Sequence, residues 1–99
     1  MPSAEPNSVA VSRRDDALVF DGVLTRPVVA SAWPRAQALL PGAQRMDLTA
    51  VSRIDSAGLA MLVALARESG IRQFDGAPAG YAELRAAYRL DDALAFAAG

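Results

Sequence analysis

Asp55-Ser56-Ala57-Gly58 places a carboxylate and a hydroxyl where a polar stretch gives way to an apolar, helix-spaced run. Either Asp55 or Ser56 is the expected N-cap, its side-chain oxygen accepting from an amide that the first helical turn leaves unpaired. A hydroxyl at the positive end of a helix is suited to carry, or to exclude, a phosphate. Phosphate on Ser56 would add about −1.5 to −2 charges, favoured by the helix end but repelled by Asp55 and Asp47. The plainer reading is a cap that stabilises the helix by about 1 kcal/mol. Gly58 lets a second backbone, or a partner, approach the turn closely.

Other chemistry is largely excluded by what the chain lacks. It has no histidine and no cysteine, which removes zinc sites of the ordinary kind and Ser-His or Cys-His nucleophile pairs. All ten basic residues are arginine, so there is no Walker lysine and no ATPase of that class. Asp15-Asp16 and Asp91-Asp92 could hold magnesium in principle, but each pair falls at an expected turn or helix start, where Asp is favoured anyway. No enzymatic activity, cofactor or metal is expected. With a net charge of −1 and interspersed signs, nothing resembles a basic stripe for nucleic acid. No apolar run approaches the roughly 20 residues of a membrane span. Met1-Pro2-Ser3-Ala4-Glu5 is unlike a signal peptide, and the absence of cysteine fits the cytoplasm.

The elements that would position Ser56 follow from periodicity. Residues 1–8 read as a flexible tail and 9–99 as one domain. Val9–Arg13 and Ala17–Asp21, around Arg14-Asp15-Asp16, predict an antiparallel hairpin. Thr25 is a plausible cap and Pro27 a tolerated first-turn residue for a helix that Pro34 should kink or restart. Gln44–Leu48 is the third strand, expected to stop where Asp47 and Thr49 compete for backbone hydrogen bonds. Val51 and Ile54 tuck the following connection onto the core. A helix from Ser56 to Ser69 ends at Gly70. Ile71–Phe74 is the fourth strand. Pro78 opens a third helix carrying Tyr81, Leu84 and Tyr88, and Asp91 caps a final short helix through Leu94 and Phe96. A hairpin followed by alternating helices and strands implies an α/β sandwich, a small mixed sheet with helices mainly on one face.

The helix after Ser56 has two apolar faces. Leu59, Leu62, Val63 and Ala66 follow core spacing. Ala57, Met61, Ala64 and Leu65 lie roughly opposite, uncharged until Arg67. Flanking helices could cover that second face. A docked partner is the preferred reading, because the face adjoins the Ser56 turn and Met61 is an adaptable anchor. Trp33 could serve as an interface anchor or as partial core, and Tyr81 and Tyr88 should sit at the core edge with hydroxyls in water.

Met46-Asp47-Leu48 followed by Asp55-Ser56-Ala57-Gly58-Leu59-Ala60 resembles the signature of STAS domains. Three further stretches are similar to the MlaB-like branch of that family: Gly22–Arg26 leading to Trp33, Phe74–Pro78, and Leu84–Leu90. The likeness spans about Val9 to Phe96. It implies a STAS-like sandwich and a cytoplasmic subunit, peripheral to the inner membrane, that binds and regulates the ATPase of an Mla-type phospholipid ABC transporter. Contact with the permease would be indirect, and neither lipid nor nucleic acid would be bound. It also implies that the third helix lies beside the signature helix at the ATPase interface, which offers Arg85 and Arg89 as rim contacts, against the plainer role of a solvated helix face for each. Asp55, Ser56, Ala57, Gly58, Met61, Ala64 and Leu65 would form the rest of that surface. The alternative within the family is an anti-sigma-factor antagonist, whose partner is an anti-sigma factor kinase and whose switch is phosphorylation of Ser56. Ala57 and Ala60 favour the transporter branch, since antagonists often carry a second hydroxyl and a glycine there.

Overall fold

Two hydrophobic strands form the first layer, and the turn between them is tight enough to force Asp15 to a φ of 54°. A computed structural model describes residues 8–91, 93 and 94. Strands β1 (Val9–Arg14) and β2 (Ala17–Leu24) pair antiparallel. They are followed by α1 (Arg26–Leu39), β3 (Arg45–Ile54), α2 (Ser56–Ser69), β4 (Gln73–Asp75) and α3 (Tyr81–Ala87). The sheet order is β1-β2-β3-β4, with β2, β3 and β4 parallel. Both crossovers step the same way across the sheet, so right-handed connections put α1 and α2 on one face, and the two helices pack on each other. This is the α/β sandwich with a mixed sheet that the alternation of elements predicts.

The core lies between that face and the helices. Leu18, Phe20, Leu24, Met46 and Leu48 from the sheet, and Leu59, Leu62 and Leu65 from α2, are fully buried. Val51 and Ile54 are buried as expected. Arg45 ties the sheet together: Nε donates to Asp16 at 3.1 Å and Nη1 to Asp75 at 2.9 Å. Arg13 closes the far end of α1 by donating from Nη1 to the carbonyls of Leu39 and Pro41, at 2.8 and 2.9 Å.

Four local expectations are corrected. Strand β3 does not stop at Asp47, because β2 continues beside it as far as the Leu24–Ile54 pair, past two register shifts. What ends at Asp47 is the pairing with β4. There the Asp47 carboxylate takes over the Thr49 amide at 2.9 Å and the Thr49 hydroxyl at 2.6 Å. Those two donors hold the Asp47 carboxyl below its usual range. Pro34 does not break α1: it and Ala30 lie on the solvent side, so the carbonyl that Pro34 leaves unpaired can be hydrated. The fourth strand starts at Gln73, two residues late, while Ile71 is buried below it. Finally, Asp91 Oδ1 accepts from Ala93 at 2.9 Å to form a turn, and Leu94 at φ 58° is not helical. Phe96, Asp92 and residues 1–7 of the expected tail lie outside the described residues; Ser8 accepts the Val23 amide at 3.0 Å.

Candidate functional site

Asp55 is the hinge of the site. Its Oδ1 accepts the Gly58 amide at 3.0 Å, capping α2, and its Oδ2 accepts the Arg26 amide at 2.9 Å, capping α1. One carboxylate therefore serves two helix N-termini. Thr25, expected to cap α1, occupies the cap position but contributes no side-chain bond. Partial burial pushes the Asp55 carboxyl up, but the amides of Gly58, Arg26 and Ala57 together outweigh it and hold the group below its usual value. This is the expected effect of donors that favour the charged form.

Because Asp55 does the capping, the Ser56 hydroxyl is left over. It is exposed and makes no hydrogen bond among the described residues. The turn is pinned from below: the Asp55 amide donates to the Leu24 carbonyl at 3.1 Å, and the Ile54 amide to that of Ala79 at 3.1 Å. Gly58 is buried, and a β-carbon added there would lie 2.0 Å from the Leu24 oxygen. The close backbone approach that Gly58 permits is thus made by β2. Gly70, at φ 80°, ends α2 with its amide on the Ala66 carbonyl at 2.7 Å.

The two-face assignment of α2 is corrected. Met61 and Leu65 are 3% and 0% exposed, so both point into the core. The buried arc is Gly58, Leu59, Met61, Leu62, Leu65 and Ala66, turned towards α1 by roughly half of the 100° step between successive helical residues. Helix α1 packs along that flank, and Gln37 Nε2 reaches across to both Glu68 oxygens at 3.2 and 3.1 Å. Covering by a neighbouring helix is therefore the right account of Leu65.

The outer face is instead Ser56, Ala57, Ala60, Val63, Ala64 and Arg67. With Arg26, Leu59, Glu68, Tyr88 and Leu90 these residues line an open groove of roughly 900 Å³. Among the expected surface residues, Ser56, Ala57 and Ala64 line the groove. Asp55 sits half-buried behind it, and Gly58, Met61 and Leu65 face inward. Arg85 is half-buried with its guanidinium 5.5 Å from the Tyr81 ring centre, and Arg89 is exposed just past α3. Arg26, Ala60, Val63, Arg67 and Tyr88 were missed. Ser56, Ala60, Val63 and Arg67 recur at spacings of four, three and four, a helical stripe that could have been read. Tyr88, 51% exposed, carries no comparable signal in the sequence.

No group of three or more acidic, histidine or cysteine residues comes together to hold a metal among the described residues. Asp16 is engaged by Arg45. No described helix is long and apolar enough to cross a membrane.

The hairpin, the two parallel crossovers and the capped serine turn define an α/β sandwich of the STAS class. A family model described as "Mlab, STAS domain" matches residues 7–95, and the chain belongs to that family. No curated protein matches the chain.

Proposed function

We propose that this STAS domain is a non-enzymatic subunit that binds and regulates the ATPase of an Mla-type phospholipid ABC transporter, the kind that maintains outer-membrane lipid asymmetry. It would work in the cytoplasm, held at the inner membrane through that complex. The observation that carries this reading is the groove on α2: a continuous face of small apolar residues that begins at Ser56 and is flanked by the exposed Tyr88. A floor of small apolar residues with an exposed aromatic beside it, and charged residues only at its ends, has the composition of an interface core with a polar rim. Membership of the MlaB family makes a transporter ATPase the natural partner. The domain would act by holding the ATPase in a productive arrangement, without touching nucleotide or lipid.

A second reading is favoured by one feature. The Ser56 hydroxyl is exposed and is not used as a cap, so a kinase could reach it, as an anti-sigma-factor antagonist requires. Co-expression with the ATPase subunit separates the two. The transporter reading expects co-elution at a fixed ratio, a change in ATP turnover on complex formation, and unphosphorylated protein by intact mass. Failure to associate, together with a phosphate that Ser56→Ala abolishes and recovery of an anti-sigma kinase, would overturn it.

A further inference from the structure

An open sheet edge pairs with any strand that reaches it unless something closes it, and the two edges of this sheet differ. Strand β4 is three residues long, too short to template much. Strand β1 is six residues long, holds neither proline nor glycine, and pairs with β2 without a register shift. Among the described residues no strand pairs with its outer side. The direction of backbone hydrogen bonds alternates along a strand. The Ser8 carbonyl accepts the Val23 amide at 3.0 Å, so Ser8, Ala10, Ser12 and Arg14 turn their backbone groups to β2, and Val9, Val11 and Arg13 turn theirs outward. Arg35 of α1 stands at that outer side. Its Nη2 donates to the outward Val9 carbonyl at 3.1 Å, and its Nε to the Ser31 carbonyl at 3.2 Å. The guanidinium is thereby held in the path of an incoming strand. Ser31 and Ala38, four residues before Arg35 and three after, share its flank of the helix; both are exposed, and their short side chains leave room beside the edge.

We propose that the outer edge of β1 is a pairing surface for a second copy of this chain, and that Arg35 keeps it closed so that the domain stays monomeric. The edge is complementary to itself. Antiparallel pairing about a two-fold axis at Val11 sets Val11 against Val11, Val9 against Arg13, Ala10 against Ser12 and Ser8 against Arg14. No like charges meet, and the arginines fall at the outer ends of the ladder. The Val11 pair and the two Val9–Arg13 pairs would exchange about six backbone bonds, joining two sheets into one. The Val9 carbonyl that Arg35 occupies is an acceptor this ladder needs in both copies. The proposal does not rest on the docking reading above: Arg35 and Gln37 lie about 200° apart around α1, and it is Gln37 that reaches α2.

The test is sedimentation equilibrium on the purified full chain. The wild type should keep its monomer mass of 10.4 kDa at about 0.1 mM, and Arg35→Ala should self-associate at least about tenfold more tightly. Arg72→Ala, an exposed change beyond α2, is the control and should behave like the wild type. Melting curves check folding, and Arg35→Met, which keeps the apolar stem and loses the donors, replaces Arg35→Ala if that variant unfolds. Val11→Pro removes an outward amide and leaves the ladder to β2 intact, so in the Arg35→Ala background it should restore the monomer. The chain has no cysteine, so an introduced disulfide reports the register and does not depend on Val11→Pro. Ala10→Cys and Ser12→Cys chains, each also carrying Arg35→Ala, should form a mixed disulfide when combined, because that pair would sit at a Cα separation of about 4.5 Å, within disulfide range. Arg35→Ala associating no more than the wild type, whether both are monomers or both dimers, would overturn the proposal. Association that survives Val11→Pro in a folded variant, or that yields no mixed disulfide, would overturn the β1 edge as its site.

Discussion

Replacing Asp55 by alanine should destabilise the domain far more than replacing Ser56, although the two are adjacent and both are good capping residues. Asp55→Ala removes the acceptors of the Gly58 and Arg26 amides together. Loss of one N-cap costs about 1 kcal/mol, and a hydrogen bond to a charged group contributes about 1.5–3 kcal/mol. Asp55 is only half-buried, which argues for the lower end, so the two bonds together amount to about 2–3 kcal/mol. In a domain of this size 1 kcal/mol shifts Tm by about 4–8 °C, so a fall of roughly 10–20 °C is expected by calorimetry. Asp55→Asn keeps one acceptor and loses the charge, and should cost about half as much. Ser56→Ala should stay within about 0.5 kcal/mol.

The pH dependence gives an independent check. Asp55 has its carboxyl lowered in the folded state, so its stabilisation is fully present above the unfolded value of about 3.9. It is lost as pH falls through the lower native value. The stability gap between wild type and Asp55→Asn should therefore close between about pH 5 and pH 2. Chemical denaturation across that range measures it. The double-cap account is refuted if Ser56→Ala costs as much as Asp55→Ala, or if the Asp55→Asn gap persists unchanged in acid.

Gly58→Ala should be among the most damaging single-atom additions, since the new β-carbon would meet the Leu24 carbonyl at 2.0 Å; failure to accumulate folded protein is the expected outcome, and a normal melting curve would contradict it. Met61→Asp and Leu65→Arg bury an unpaired charge and should unfold the domain, whereas Ala60→Asp, on the outer face, should leave the melting temperature nearly unchanged. Arg13→Ala frees the carbonyls of Leu39, Pro41 and Asp15 and should cost about 2 kcal/mol, with amide exchange accelerating first at the C-terminal turn of α1.

The elements themselves were legible because their signals are local. The bounds of α2 follow from a capping residue before Ser56 and a glycine at Gly70, each acting within one turn of its own position. The hairpin, the order of helices and strands, and the sandwich class follow from apolar periodicity in the same way, and the residue types alone removed zinc and Walker-type chemistry. What the chain could not reveal locally was which arc of α2 faces inward. Leu59 and Leu62 are core in the expected arc and in the observed one, but Met61 and Leu65 are buried only because α1 packs on that flank, and α1 is brought there by a crossover some thirty residues away. The role of Asp55 was decided at the same distance. As a cap it is a local feature; as a tie between two helices it exists only because β2 and β3 lie parallel and side by side and deliver both helix N-termini to the same end of the sheet, beyond the C-terminal ends of the two strands. The extended β3 was hidden for the same reason: Asp47 and Thr49 offer a local reason to stop, and the parallel partner that overrides it belongs to another part of the chain.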